Sequence, residues 1–164
     1  MIAMSSSEIE SLLANSLIGR LGLADIHGQP YMLPFPFCWR QGAIYLRLAT
    51  TGRKGEILKT NTRVCFEVDW CAEQMNDYAS IIIEGRLEPV TDLTEKKAAR
   101  TANEAKYRRL RPHHRPGHGR STSLEELAMH KIVASVVSGR RMEPHMGADH
   151  KVVEPQTWLD AAPL

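Results

Sequence analysis

Apolar positions recur along the chain with two different periods, and each change of period marks where a helix gives way to strands. Near the N-terminus Ile9, Leu12 and Leu13 stand at i, i+3 and i+4 behind Ser7-x-x-Glu10, which has the form of a capping box. A short amphipathic helix lying over a sheet is expected there. From Ile18 the period shortens to two: Leu21 and Leu23 alternate with Gly22 and Ala24, Asp25 to Pro30 reads as a turn around Gly28, and Tyr31 to Trp39 is a second extended run. Pro34 and Pro36 each remove a ladder donor, so that strand belongs at an edge or beside a ligand. Ala43 to Leu48 is a third strand, Thr50-Thr51-Gly52 a polar stop, and Arg53 to Thr60 a short helix ended by Asn61. Val64 to Val68 and Ala79 to Val90 add two β-branched strands, the second the longest candidate. Thr94 to Leu110, rich in Ala, Lys and Arg, reads as a largely solvated helix, and Ser123-x-x-Glu126 caps another short one before a sixth strand, Lys131 to Ser138. Mostly hairpin-linked strands with helices inserted between some of them fit a mainly β fold with flanking helices, a six-stranded antiparallel Greek-key barrel.

Composition narrows the function. With 164 residues, 43% of them hydrophobic, the chain is one domain's worth and can build a core without disulfides or metal. A net charge of +2 is far from the basic excess of a protein that lives on phosphate backbones, so nucleic acid is not an expected partner. Without a long apolar run, and with Met1 to Glu10 lacking the stages of a signal peptide, a membrane partner is not expected and the cytoplasm is the expected location. Cys38, Cys65 and Cys71, with no CxxC spacing, read as reduced thiols in packing or loop positions, two of them in strands.

The stretch from Ala43 to Asn61 carries the most chemistry: a strand, a glycine turn, then adjacent cations opening a helix. The free N–H groups and positive dipole end of a helix's first turn favour anions and disfavour cations. Arg53 and Lys54 therefore suit a bound phosphate, held by two parallel hydrogen bonds from the arginine and by the lysine as a point charge, with Thr50 and Thr51 hydroxyls in reach. On spacing alone a solvated basic turn fits as well.

The order of short motifs adds a resemblance. Gly19-Arg20-Leu21 with Gly28-Gln29-Pro30-Tyr31-Met32-Leu33-Pro34, Ile44-Tyr45 through Gly52-Arg53-Lys54, Asn61-Thr62-Arg63-Val64-Cys65-Phe66, and Tyr78-Ala79-Ser80-Ile81-Ile82-Ile83-Glu84-Gly85-Arg86 follow one another over about residues 8 to 100. In these the chain resembles the pyridoxamine 5'-phosphate oxidase-related FMN-binding split-barrel proteins, in the branch that includes the nitroimidazole-resistance reductases. Lys131 to Ser138 with Ser138-Gly139-Arg140 matches the family's last strand; loop 111–122 and the rest of the tail 139–164 fall outside the match. The resemblance implies a single split-barrel domain over residues 1–164, a homodimer, and two flavin mononucleotides (FMN) in clefts at the subunit interface. By that likeness Arg53 and Lys54 hold the FMN phosphate, the backbone at Pro34 and Phe35 borders the isoalloxazine, and Arg47, Leu48 and Ala49 lie beneath the ring. Ser80 matches a position that approaches the flavin in the partner's cleft. Small members of the branch often carry His where this chain has Arg47: either a fixed cation favouring an anionic flavin or substrate, or a solvated structural residue.

The vitamin oxidase's C-terminal substrate signature is represented only by Glu154-Pro-Gln-Thr-Trp158, which argues against pyridoxamine phosphate as substrate; Trp158 either stacks over a cofactor or pins the tail. The loop Arg111 to Arg120, with Arg109, His113, His114, Arg115 and His118, is a basic patch suited to anionic nicotinamide nucleotide donors, or simply solvated. Met142 and Met146 flank His145 in a pattern that a haem ligand would also give. Two functions stay open: an FMN-dependent oxidoreductase of a small molecule, in which no side chain need act as acid or base, and a non-catalytic flavin carrier or sensor, or haem binder.

Overall fold

Antiparallel pairing organises the chain in the computed structural model, which describes residues 1–73, 77–113 and 122–142. In order these form β1 (Ile2–Ala3), α1 (Ser6–Asn15), β2 (Ile18–Ala24), β3 (Pro30–Arg40), β4 (Ala43–Arg47), α2 (Gly52–Thr60), β5 (Arg63–Cys71), β6 (Tyr78–Pro89), α3 (Leu93–Leu110) and β7 (Met129–Arg141). The strand order is β1-β7-β4-β3-β2-β5-β6, and β6 also pairs with β7. Six strands thus close into a barrel, with β1 an added strand on the end of β7. β2, β3 and β4 run as successive hairpins and β5 returns by way of α2 to lie beside β2, which is the Greek-key arrangement. The barrel expected from the period-two runs is present.

Alternation decides what fills the barrel. Leu21, Phe37, Ile44, Leu46, Phe66, Val68, Ile81, Ile83 and Ile132 are fully buried, with Phe37 and Phe66 meeting edge to face at 5.2 Å between ring centres. Leu12 and Leu13 of α1 and Ile57 of α2 close onto the same core. A second apolar cluster, with Tyr45, Val90, Ala99, Leu127 and Met129, lies on the barrel's outside beneath α3.

Four expectations are corrected. The capping box at α1 is Ser5 with Glu8, two residues earlier than Ser7-x-x-Glu10: Glu8 N–H donates to Ser5 Oγ (3.3 Å) and Ser5 N–H to Glu8 Oε2 (2.6 Å). The serines at 5 and 7, each three residues before a glutamate, give the pattern two registers, and the earlier one is adopted. Ser123 accepts from Glu126 N–H as expected (3.2 Å), but the segment is a turn rather than a helix. All three free cysteines, not two, lie in strands: Cys38 in β3, Cys65 and Cys71 in β5. Finally, α3 is not merely a solvated helix: it buries Lys96, Ala99, Lys106 and Leu110.

That burial has a specific cause. α1 has no basic residue in its last turn, so its C-terminal carbonyls and negative dipole end lack a cation of their own. α3 supplies them. Lys106 Nζ donates to the carbonyls of Leu13 (2.9 Å) and Phe37 (3.2 Å) and stands 3.6 Å from the Phe37 ring centre. Arg109 donates to Ala14 O and Asn15 Oδ1 (both 2.7 Å), and Tyr107 Oη to Leu17 O (3.2 Å). Arg109 is therefore engaged by α1 rather than offered to a ligand. Near the other end of α3, Tyr45 Oη (2.8 Å) and Lys131 Nζ (2.9 Å) both donate to Glu95 Oε1.

Burial pulls the Lys106 pKa from 10.5 to about 7, the nearby Cys38 thiol opposing and the Arg109 charge adding to the shift. The unfolded chain keeps this proton up to the ordinary lysine range, so the cost of the buried charge is full below pH ~7 and fades as pH rises toward 10.5. Between neutral pH and pH ~9 the unfolding free energy of the protein is expected to rise relative to that of Lys106→Met, measured by denaturant titration. A difference that does not change with pH would contradict this.

Candidate functional site

Over part of their length β3 and β4 do not pair, and the sequence makes this gap in the barrel wall. β3 pairs with β4 only over residues 37–40, Phe37 lying opposite Leu46, while residues 30–36 pair with β2 alone. At the hairpin Asp25 N–H donates to Gln29 O (3.1 Å); counting along the ladder, Tyr31, Leu33 and Phe35 make the hydrogen-bonded pairs with β2. Pro30, Pro34 and Pro36 share the other parity. Their missing N–H groups would have pointed out of the sheet's open edge, so that edge carries the carbonyls of Pro30, Met32, Pro34 and Pro36 and a single N–H, from Met32.

Across the gap runs the segment that leaves β4. Arg47 ends the strand opposite Met129 and is exposed; Leu48 is buried and gives its N–H to Ala128 O (2.9 Å). Ala49, Thr50 and Thr51 are exposed, and Gly52, at φ +65°, turns the chain into α2. A side chain at Gly55 would put its Cβ 2.3 Å from Thr50 O, so only glycine lets the first helical turn press against this loop. The 48–53 segment therefore lies alongside residues 30–35 without pairing to them, and the two are joined at their far end by Arg53, whose guanidinium carbon lies 4.8 Å above the Tyr31 ring centre.

The start of α2 is electrostatically unusual. Thr51 occupies the N-cap in extended conformation yet gives no side-chain cap, and the first turn holds no acidic residue. It holds Arg53 and Lys54. Lys54 Nζ reaches the Thr51 carbonyl (3.3 Å), and Arg53 makes no ion pair among the described residues. Asp25 faces this end: the Gln29 N–H above all, then the His27 N–H and the charges of His27 and Arg53, hold its carboxyl below the usual carboxylate range. Its Oδ1 is already taken up by the N–H groups of His27 and Gln29 (both 2.9 Å).

Seven of the eight expected site residues thus border one gap: Pro34 and Phe35 on one side, Arg47, Leu48 and Ala49 on the other, Arg53 and Lys54 at the end. Ser80 does not join them within one chain. It pairs with Arg140, whereas Arg47 pairs with Met129, at opposite ends of β7 and so roughly 35 Å apart along the strand. Tyr31 belongs to the Gly28 to Pro34 motif, which implies no role for it; its ring, packed against the main core, is the neighbour of Arg53. The expectations for His114, Arg115, His118, Arg120, His145, Met146, Glu154 and Trp158 lie outside the described residues.

A family model described as pyridoxamine 5'-phosphate oxidase matches residues 5–141. The chain belongs to that family. The match runs from the cap of α1 to the end of β7 and so takes in the whole barrel. Solved structures agree on the fold. A FAD-binding protein from Mesorhizobium loti is 26% identical, with 87% of this chain and 98% of that one covered at a TM-score of 0.62. A candidate 5-nitroimidazole antibiotic resistance protein from Bacteroides thetaiotaomicron is 23% identical, with 84% and 85% covered at 0.65. A heme binding protein from Mycobacterium smegmatis is 15% identical, with 87% of this chain and 58% of that one covered at 0.62. No curated protein matches the chain. Among the described residues no helix is long and apolar enough to cross a membrane.

Proposed function

We propose that this protein is an FMN-binding flavoprotein that acts in the cytoplasm as an oxidoreductase of a small molecule. The observation that carries the reading is the first turn of α2: uncapped N–H groups, no acid, and two adjacent cations, at the end of a gap in the barrel wall. Membership of the pyridoxamine 5'-phosphate oxidase family and the likeness to a FAD-binding relative support a flavin as the ligand. The residues fit the group. Arg53 offers paired donors and Lys54 a point charge to its phosphate, the α2 N–H groups complete the anion site, and the carbonyl-rich edge at Pro34 suits a ring with an N–H to give. A bound flavin supplies hydride transfer; the chain's own part is placement, electrostatics and exclusion of water. Arg47, exposed beside Leu48 and Ala49, adds positive charge where an anionic form of the ring or substrate would be favoured. Pyridoxamine phosphate itself is not the proposed substrate, because the tail holds only a fragment of the signature that grips it. With both Arg53 and Lys54 replaced by Ala, FMN affinity measured by fluorescence quenching should fall by at least about 100-fold. An unchanged affinity would remove the site.

The second part of the proposal is a homodimer with the cofactor at its interface. The outer face of β3, β2, β5, β6 and β7 is a continuous sheet surface bearing Met32, Ile82, Val133 and Val136, with Met32 60% exposed and Val136 49%. A two-fold partner on this face covers it and can bring Ser80 to the other subunit's gap. Light scattering at micromolar concentration should give twice the chain mass, 18.4 kDa; a monomer would sink the interfacial cofactor.

Oxidoreductase and carrier are separated by turnover. NADH or NADPH is expected to bleach the bound flavin without oxygen, and an added acceptor to restore its colour. Flavin that stays oxidised under an excess of both nucleotides would favour the carrier or sensor.

A further inference from the structure

Tyr31 is the aromatic side chain that meets Arg53 of α2 among the described residues, and its placement is unusual for a surface contact. It stands on the inward-facing parity of β3 with Leu33, Phe35 and Phe37, is half-buried, and packs against the main core. Its backbone is tied to Leu23 of β2. The ring is thus a fixed plate, whereas Arg53 is an exposed side chain with no ion pair among the described residues.

We propose that Tyr31 is a positioning residue for the phosphate of the flavin nucleotide, acting through Arg53. This rests on the flavin reading of the site. A guanidinium that stacks on a ring satisfies its face by cation–π attraction and leaves its N–H edge free. An edge held in a fixed plane can meet two phosphate oxygens at once without first losing the side chain's rotational freedom. Asp25 is the competing anion. Its Oδ1 is already engaged by the N–H groups of His27 and Gln29, which lowers its call on Arg53 and leaves the ring as the arginine's resting partner. Lys54 has no such plate, and its contact with Thr51 O keeps it on its own loop. The two cations therefore divide the work: Lys54 contributes charge, and Arg53 contributes charge with direction.

The test compares FMN with riboflavin, which lacks the phosphate, in the full chain. Tyr31→Phe keeps the π face and should keep the protein's preference for FMN. Tyr31→Leu keeps apolar contact with the core but removes the face, and should reduce that preference about five-fold while riboflavin affinity stays the same. Lys54→Ala should weaken FMN binding in either background by the same factor. Circular dichroism and thermal unfolding check that Tyr31→Leu is folded; should it be unstable, Tyr31→Met, which keeps the apolar bulk but not the π face, takes its place with the same expected loss of preference. A folded Tyr31→Leu or Tyr31→Met protein with the original ratio of FMN to riboflavin affinity would overturn the assignment of Tyr31. Equal affinity of the unaltered protein for the two flavins would overturn the phosphate site itself, and Tyr31's role with it.

Discussion

A strand that cannot donate on one side is the constraint from which the rest of the site follows. Pro30, Pro34 and Pro36 fall on one parity of β3, so along residues 30–36 the strand pairs with β2 alone and has a single N–H, that of Met32, to give a second neighbour. β4 can pair only where the prolines have ended, from Phe37 onward. The chain leaving β4 is consequently free to turn at Gly52 and start a helix alongside the unpaired edge. The gap is therefore not a flaw in an otherwise closed barrel. It is a length of ladder that the sequence withholds, and the same withholding guards the edge against adding a strand from another molecule.

The helices answer a different demand. α1 and α2 contribute leucine and isoleucine to the main core, an ordinary hydrophobic role. α3 carries few apolar residues and docks by polar contacts instead: Glu95 beneath Tyr45 and Lys131, Lys96 under the carbonyls of Leu124 and Glu125, and Lys106, Tyr107 and Arg109 on α1. A buried lysine is a costly way to hold two helices together, and the cost is met only because each donor finds a carbonyl and the long methylene stems pack as hydrocarbon. Bringing the outer cluster and the barrel into one body is the return.

Much of this was legible beforehand, because strand alternation and turn residues are local. Each of the six expected strands and the α2 helix lies where its pattern put it, and the prolines announced an edge. The adjacent cations after a glycine turn could be read from the sequence as the opening of a helix, and they stand in the first turn of α2. What escaped was non-local. The burial of Lys106 depends on carbonyls of Leu13 and Phe37, and no periodicity in α3 reveals acceptors that lie far away along the chain. Tyr31 looked like one more strand aromatic, since its partner is set by where β3 loses β4. Ser80 was aligned by likeness, and only the register of β7 shows how far it stands from Arg47 in the same chain.

The contacts between α3 and α1 also carry an asymmetry in what the two helices must remember. On α3 the donors are side chains, so Lys106, Tyr107 and Arg109 are each bound to their identity. On the α1 side three of the acceptors are the main-chain carbonyls of Leu13, Ala14 and Leu17, which any residue would present. The exposed position Ala14 can thus change its side chain and still offer the same oxygen, while a single change at Lys106 leaves two carbonyls without their partner. At Ala14 the grip is written on one helix and read by the backbone of the other, so that position is free to drift in sequence where Lys106, Tyr107 and Arg109 are not.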